Sequence, residues 1–230
     1  MAITNCAKRR LRRCGKTEYG QTNDPERSDL AYAMEIQSIA QCGLAYCKDP
    51  YDRERYVRLR EIAAEMVSER LSVSTARIRD VFLCESGYQT PKIDTRAAVF
   101  DDDGRILLVL EKNGTWSLPG GWCDVDQSVF SNTEKEVAEE TGLSVKARRL
   151  IAVQDWRRHN VTNYLFGVIK TFVLCQPLAG AFAENMETTE ARYFAIRELP
   201  ENLAVEKTTR EQIEMCCAAY VDPEWRVQCD

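Results

Sequence analysis

Three carboxylates are spaced to act together in the segment from Leu118 to Leu143, LPGGWCDVDQSVFSNTEKEVAEETGL. Glu136, Glu139 and Glu140 stand at i, i+3 and i+4, which on a helix turning about 100° per residue places them on one face. Like charges at this spacing repel one another, and a divalent cation among their oxygens reverses the sign of that interaction. Hard cations such as Mg2+ or Mn2+ take carboxylate, carbonyl and water ligands. On an isolated helix the same three residues read as a solvated acidic face, so the flanks must decide. Upstream, Pro119, Gly120 and Gly121 make a turn without bulky side chains, through which backbone carbonyls can approach a ligand closely. Downstream, Gly142 is placed to end the helix and Leu143 to start an apolar strand.

With those residues in view, the segment resembles the Nudix box, G-x5-E-x7-R-E-U-x-E-E-x-G-U, where U is a bulky aliphatic residue. Gly121, Glu136, Val137, Glu139, Glu140, Gly142 and Leu143 match it. Gln127 stands where the pattern has Glu, and Lys135 where it has Arg. Lys keeps the charge but loses the planar fork that can hold two carboxylate oxygens at once. Gln keeps hydrogen bonding and loses the charge. Neither departure removes a carboxylate from the cluster, so the expectation is an active enzyme with altered support around its metal ligands.

The resemblance continues outside the box. The runs LAYCKDPYDRERYVRLREIAAE, ESGYQTPKIDTRAAVF and LIAVQD are similar to a subgroup of Nudix hydrolases with a small helical N-terminal domain, over about residues 30–222. It implies an α+β fold, a Nudix α/β/α sandwich preceded by three helices. It also implies a pyrophosphatase of nucleoside diphosphates linked to a second group X, with CDP-choline or ADP-ribose as leading candidates. By the same resemblance Glu136, Glu139 and Glu140, with the Gly120 carbonyl, would hold Mg2+ or Mn2+. A further carboxylate, Glu187 or its competitor Glu190, would accept a proton from water. Trp122, Trp156 and Tyr164 are candidates to stack on a base, with core packing as the alternative for each. Arg96 is a candidate to pair with phosphate.

Composition agrees with such an enzyme and excludes other classes. The chain has 230 residues, 44% hydrophobic and 29% charged, enough for one sizeable core and a small second unit. No apolar run approaches the roughly 20 residues of a membrane span, and no apolar stretch follows the basic residues Lys8 to Arg13, so a cytoplasmic protein without a secretory signal is expected. The ten cysteines are scattered without a C-x-x-C pair, and His159 is the sole histidine. The cysteines therefore read as reduced thiols rather than a disulfide framework or zinc site, with Cys123 beside the glycines the one to watch. The net charge of −5 divides into +3 for residues 1–30 and −8 for the rest. An acidic body does not advertise nonspecific nucleic-acid binding. An RNA-directed hydrolase using the basic arm, and a non-catalytic sensor of nucleotide sugars, are the rival readings.

The elements that must position these residues fall into two groups. Residues 1–28 read as a basic, unstructured tail, 29–88 as a helical domain and 89–230 as the catalytic domain. Helices are expected from about Asp29 to Cys47, burying Ile36, Ile39, Ala40, Gly43 and Cys47, and from about Asp52 to Leu71, burying Tyr56, Leu59, Ala63 and Met66. A third begins at the N-cap Ser74, buries Ile78, Val81 and Phe82, and stops at Gly87. Strands are expected at Arg96 to Phe100, Ile106 to Glu111, Val145 to Gln154, Tyr164 to Cys175 and Ala191 to Ala195. Asp101 to Gly104 reads as a hairpin turn. The carboxylate helix, about Ser128 to Thr141, should pack through Val137 and Phe130, and a last helix, about Thr208 to Tyr220, through Ile213, Cys216, Cys217 and Tyr220. A three-helix domain has a thin core, so a homodimer in which it covers a neighbouring active site is the expected assembly.

Overall fold

The computed structural model describes residues 29–83, 86–161, 164–183 and 185–230, and the chain divides into two compact units between Tyr88 and Gln89. The basic arm lies outside the described residues. The first unit holds α1 (Asp29–Tyr46), α2 (Pro50–Leu71) and α3 (Thr75–Leu83). Asp49 caps α2, its carboxylate accepting from the Tyr51 and Asp52 N–H groups, and Pro50 occupies the first turn, where its missing N–H costs nothing. The helix therefore starts two residues before the expected Asp52.

The buried stripe of α1 differs from the expected one. Ala33, Gln37, Ala40 and Gln41 face inward, while Ile39 is 55% exposed. The reason is close approach of α1 and α2: a Cβ on Gly43 would lie 2.4 Å from the Tyr56 ring, so small residues line the contact. Gln37 donates to Gln41 (3.1 Å), and Gln41 donates to the Gly87 carbonyl (3.3 Å), which gives acceptors to two side-chain amide groups that hydropathy assigns to solvent, while the Gln37 carbonyl oxygen is buried without a partner. Ala63, Ala64 and Val67 of α2 and Ile78 and Phe82 of α3 complete this core. Val81, expected inside, is exposed.

The second unit carries two sheets. In the first, β1 (Lys92–Val99) pairs in parallel with β5 (Val168–Gly180), β5 antiparallel with β4 (Leu143–Asp155), and β4 in parallel with β7 (Gln228–Cys229). In the second, β2 (Ile106–Glu111) lies between β3 (Trp116–Ser117) and β6 (Thr188–Phe194), antiparallel to both. The Asp101 to Gly104 turn forms, with the Gly104 N–H on the Asp101 carbonyl at 3.0 Å, but the strands it joins belong to different sheets and share a single bridge, Phe100 to Ile106. A hairpin ladder is blocked because both edges of β1 are occupied. β5 takes one edge, and residues 119–123 take the other: Ala97 N–H donates to the Pro119 carbonyl, Thr95 N–H to Gly121 and Cys123 N–H to Ile93, each at 2.8 Å.

Alternation along β1 divides the core between two faces. Ala97 and Val99 pack with Val137 of α4 (Val129–Thr141), together with Val145, Ala147, Val173 and Cys175. Ala98 and Phe100 pack on the opposite face with Ile151, Phe172 and Ile213, Cys216 and Ala219 of α6 (Arg210–Val221). The sheet is thus held between α4 and α6, the sandwich expected. Val129 and Val137 make the α4 contact, and Phe130, expected to share it, is 39% exposed. Tyr220 stacks on Phe100 with ring centroids 4.1 Å apart. β1 begins four residues before the expected Arg96, because Asp94, Thr95 and Arg96 are buried polar residues of the strand. β5 begins four residues after the expected Tyr164, which lies in the preceding loop. Among the described residues no helix is long and apolar enough to cross a membrane.

Candidate active site

The glycine turn is fixed against β1 by its own backbone. Carbonyls alternate along an extended chain, so with Pro119 and Gly121 turned to β1 the Gly120 carbonyl is turned away from it. Gly120 has φ +140°, and a Cβ there would lie 1.9 Å from the Thr95 carbonyl oxygen, a position closed to any other residue. Its N–H donates to Glu140 Oε2 at 2.8 Å. α4 brings Glu140 there because both its ends are defined. Ser128 caps the first turn reciprocally with Ser131, and Gly142 ends the helix at φ +71° with its N–H on the Ala138 carbonyl.

The three carboxylates lie in graded environments. Glu140 is 8% exposed, and burial, reinforced by Glu136, pushes its carboxyl up to about 7 against the opposing Arg96 charge and Gly120 N–H. Glu136 is partly buried and is also raised, first by burial. Glu139 faces solvent, with one oxygen 3.3 Å from Lys135 Nζ. That ammonium also lies 2.9 Å from Asp124 Oδ2 and 3.5 Å from Glu136 Oε1. Lys135 therefore clamps three carboxylates, Asp124 among them. Asn132, fully buried, ties the turn to α4: its amide donates to Thr95 Oγ1 (2.9 Å) and the Trp122 carbonyl (3.2 Å) and accepts from the Asp124 N–H (3.1 Å).

The donor set suits a hard divalent cation. A Cβ on Gly121 would come within 2.7 Å of Glu136 Oε2, so the space beside that carboxylate exists because the residue is glycine. Every donor is oxygen, and the carboxylates outnumber the cations near them. Among the described residues no three such side chains are already gathered into a cage, since Glu140 faces the Gly120 N–H and Glu139 leans on Lys135.

Behind the turn lies a buried ionic cluster that hydropathy gave no sign of. Asp94 accepts from Arg96 Nη2 at 2.7 Å and Lys170 Nζ at 2.6 Å, with all three side chains at most 5% exposed. Arg96 also donates to the Leu118 carbonyl (3.2 Å), so it braces the turn from below and does not stand open to a phosphate. Lys170 donates to the Lys207 carbonyl (2.8 Å), and Lys207 Nζ reaches Glu111 Oε2 (2.7 Å). The network was missed because charged residues in a sequence read as surface.

An aromatic wall adjoins the glycines. Trp122, 44% exposed, meets the rings of Tyr164 and Phe166 edge-on at 5.7 and 5.9 Å, and Tyr164 stacks on Phe166 at 5.5 Å. Trp156 is buried behind Tyr164 at the start of α5 (Trp156–His159), which favours the core packing that the sequence left open for it. Phe166 was legible as the next alternate residue after Tyr164. Cys123 is not activated: burial and Asp124 push its thiol up, away from the reactive thiolate. Glu187 sits on an exposed loop fastened to the end of α4 by Asn185 Nδ2 and Thr188 Oγ1, which donate to the Glu140 carbonyl at 2.8 and 2.5 Å. Glu190, within β6, pairs with Arg192 at 3.6 Å. A cavity of about 530 Å³ lined by His159, Val161, Leu203, Val205, Thr209 and Arg210 opens near the start of α6 and includes none of Glu136, Glu139 and Glu140.

Known proteins share both parts of this organisation. Residues 29–82 match the family described as a UDP-X-like, N-terminal oligomerisation domain, and residues 90–215 match the NUDIX domain. The Bacillus subtilis (strain 168) protein YjhB, named provisionally as an ADP-ribose pyrophosphatase, is 40% identical over 187 residues, 81% of this chain and 89% of its own length. The crystal structure of a UDP-X diphosphatase superposes with a TM-score of 0.58 at 36% identity, covering 86% of this chain and 96% of that one. An ADP-ribose pyrophosphatase from Streptococcus suis 89-1591 superposes with a TM-score of 0.57 at 47% identity, over 61% of this chain and all of that one. With the box residues on α4 and the domain match spanning more than half of its length, the chain belongs to the Nudix hydrolase family, as a pyrophosphatase with an N-terminal oligomerisation domain.

Proposed function

We propose that this protein is a Mg2+-dependent pyrophosphohydrolase that splits a nucleoside diphosphate linked to X into a nucleoside monophosphate and phospho-X. The observation that carries the reading is the placement of Glu140 and Glu136 around Gly120 and Gly121, a pocket of oxygen donors that excludes any side chain from the turn. Glu136, Glu139, Glu140 and the Gly120 carbonyl would hold the ion; Mn2+ fits the same donors. When bound, Mg2+ supplies neutralisation of the pyrophosphate charge and acidifies water. Water attacks one phosphorus, the bond from that phosphorus to the bridging oxygen breaks, and the bridging oxygen leaves on the other phosphate. Glu187 is our assignment for the group that takes the water proton, favoured over Glu190 because Arg192 already engages the latter. Glu139, the most exposed of the three candidate ligands, leans on Lys135 and would exchange that ammonium for the ion.

Trp122 and Tyr164 offer apolar ring faces to the nucleoside base, with Trp156 supporting Tyr164 from within. Arg96 supports the site from behind, through the Leu118 carbonyl it holds. ADP-ribose is the first candidate, supported by the names of the Bacillus subtilis and Streptococcus suis relatives. CDP-choline is retained from the sequence resemblance, and the UDP-X diphosphatase widens the nucleoside choice. A homodimer built through the helical unit is supported by the match to an oligomerisation domain. Light scattering at micromolar concentration tests it, and a monomer would reject it. Cytoplasmic residence is supported by the free thiols of the described cysteines. The activity itself is tested by a panel of ADP-ribose, CDP-choline, UDP-glucose, nucleoside triphosphates and a short RNA with Mg2+, products read by mass. Cleavage of one diphosphate-linked compound into two monophosphates supports the proposal; silence, or RNA as the preferred substrate, rejects it.

A further inference from the structure

Among the described residues, Lys207 is one of the cations near this site to which the proposed reaction gives no role. The segment carrying it runs beside the strand that leads into the glycine turn. Trp116 N–H donates to the Asn202 carbonyl (2.9 Å), Ala204 N–H to the Trp116 carbonyl (2.8 Å), and Leu118 N–H to Thr208 Oγ1 (3.4 Å). The Lys207 carbonyl accepts from Lys170 Nζ at 2.8 Å, and Lys170 is wholly buried. The backbone of Lys207 is thus held from inside the protein, while its side chain remains about one third exposed, at 35%.

The buried cluster explains why that backbone is worth holding. Removing Asp94, Arg96 and Lys170 from water costs several kcal/mol per ion before their mutual attraction is counted. The two cations direct further hydrogen bonds to the Leu118 and Lys207 carbonyls. Those carbonyls belong to the two chain segments that border the carboxylates. The cost is therefore coupled to the placement of the turn and of Lys207 together.

The nearby cations differ in how free they are. Lys135 is shared among Asp124, Glu136 and Glu139, and Arg96 and Lys170 are buried on Asp94. Lys207 rests on one carboxylate, Glu111, which Ser117 Oγ also binds at 3.0 Å. Ser117, which holds Glu111, stands three residues before Gly120, and Thr208, next to Lys207, accepts from the Leu118 N–H, so the ammonium stands beside the segment that enters the glycine turn.

We propose that the Lys207 ammonium leaves Glu111 and binds a pyrophosphate oxygen of the substrate, which makes Lys207 a direct phosphate-binding residue of this enzyme. This rests on the pyrophosphatase reading above. A lysine suits the role as a mobile point charge on a flexible stem, and Glu111 holds it beside the turn when no substrate is bound.

The test is calorimetric binding of inorganic pyrophosphate to the full chain in magnesium buffer, alongside KM and kcat for ADP-ribose. Lys207→Met should weaken pyrophosphate binding about tenfold or more and raise KM, with circular dichroism and the thermal midpoint unchanged. Lys207→Arg should stay within about threefold of the parent. Glu111→Gln, which removes the competing carboxylate charge, should leave pyrophosphate binding equal or tighter, and it carries the test if Lys207→Met does not fold. Binding by Lys207→Met within twofold of the parent, or weakening by Glu111→Gln comparable to that expected for Lys207→Met, would overturn the proposal. If the parent cleaves no nucleoside diphosphate while Lys207→Met still loses pyrophosphate, the substrate assignment fails and the phosphate contact stands.

Discussion

Glu140→Gln should make the metal-free protein more stable at neutral and alkaline pH, although it removes a residue essential to the proposed chemistry. Glu140 is buried, and its carboxyl is pushed up from 4.5 to about 7, chiefly by burial. Between those values the folded chain binds more protons than the unfolded one. The carboxyl therefore destabilises the fold progressively as pH rises through this window. At ~1.36 kcal/mol per pH unit the full effect is about 3 kcal/mol above pH 7. Gln is neutral, keeps nearly the same shape and still offers an oxygen to the Gly120 N–H. In chelator-treated protein its advantage should be near zero around pH 4.5 and grow to about 3 kcal/mol at pH 8, a rise of roughly 10 °C in the midpoint for a unit of this size. Differential scanning calorimetry of both proteins across that range measures it. Adding Mg2+ at pH 8 should raise the midpoint of the parent by mass action and leave Glu140→Gln where it was. Equal or lower stability of metal-free Glu140→Gln at pH 8, or an advantage independent of pH, would refute the reasoning.

Further outcomes follow from other contacts. Mg2+ affinity measured by calorimetry should fall as pH drops below about 7, by up to about tenfold per unit, because the proton and the metal compete for Glu140. Asp94→Asn leaves two buried cations without their anion and should cost about 3–5 kcal/mol in urea denaturation. Gly120→Ala places a methyl 1.9 Å from the Thr95 carbonyl and should yield protein that is insoluble or lacks the native thermal transition. Asp124→Asn breaks a solvent-exposed pair and should change stability by less than about 1 kcal/mol. It should nevertheless weaken Mg2+ several-fold, because Lys135 then leans wholly on Glu136 and Glu139; adding Gln127→Glu should restore the affinity.

Much of the carboxylate helix was legible because its signals are local. The spacing of Glu136, Glu139 and Glu140, the start near Ser128 and the stop at Gly142 all act within one or two helical turns. The glycines were legible for the same reason, although the sequence alone did not say that the Thr95 carbonyl forbids a side chain at Gly120. What escaped the reading depends on partners distant in the chain. Asp94 and Lys170, 76 residues apart, are buried because each neutralises the other, and no window of hydropathy contains both. Ile39 faces solvent on α1 while Gln37 and Gln41 face inward, because the closeness of α2 admits Ala and Gly and the amides find acceptors. The Asp101 to Gly104 turn had the right residues for a hairpin, but residues 119–123 hold the free edge of β1. Arg96 was placed in the right region and given too exposed a role, and for Trp156 core packing stood beside base stacking undecided, since the pairing and ring contacts that bury them are tertiary.

The most direct test of the central claim is Mg2+-dependent hydrolysis of ADP-ribose by the parent chain and by Glu140→Gln, with products identified by mass. The account predicts AMP and ribose 5-phosphate from the parent and a loss of several orders of magnitude in turnover in the variant. Near-parental turnover by folded Glu140→Gln protein would contradict the assignment of the carboxylate cluster as the catalytic centre.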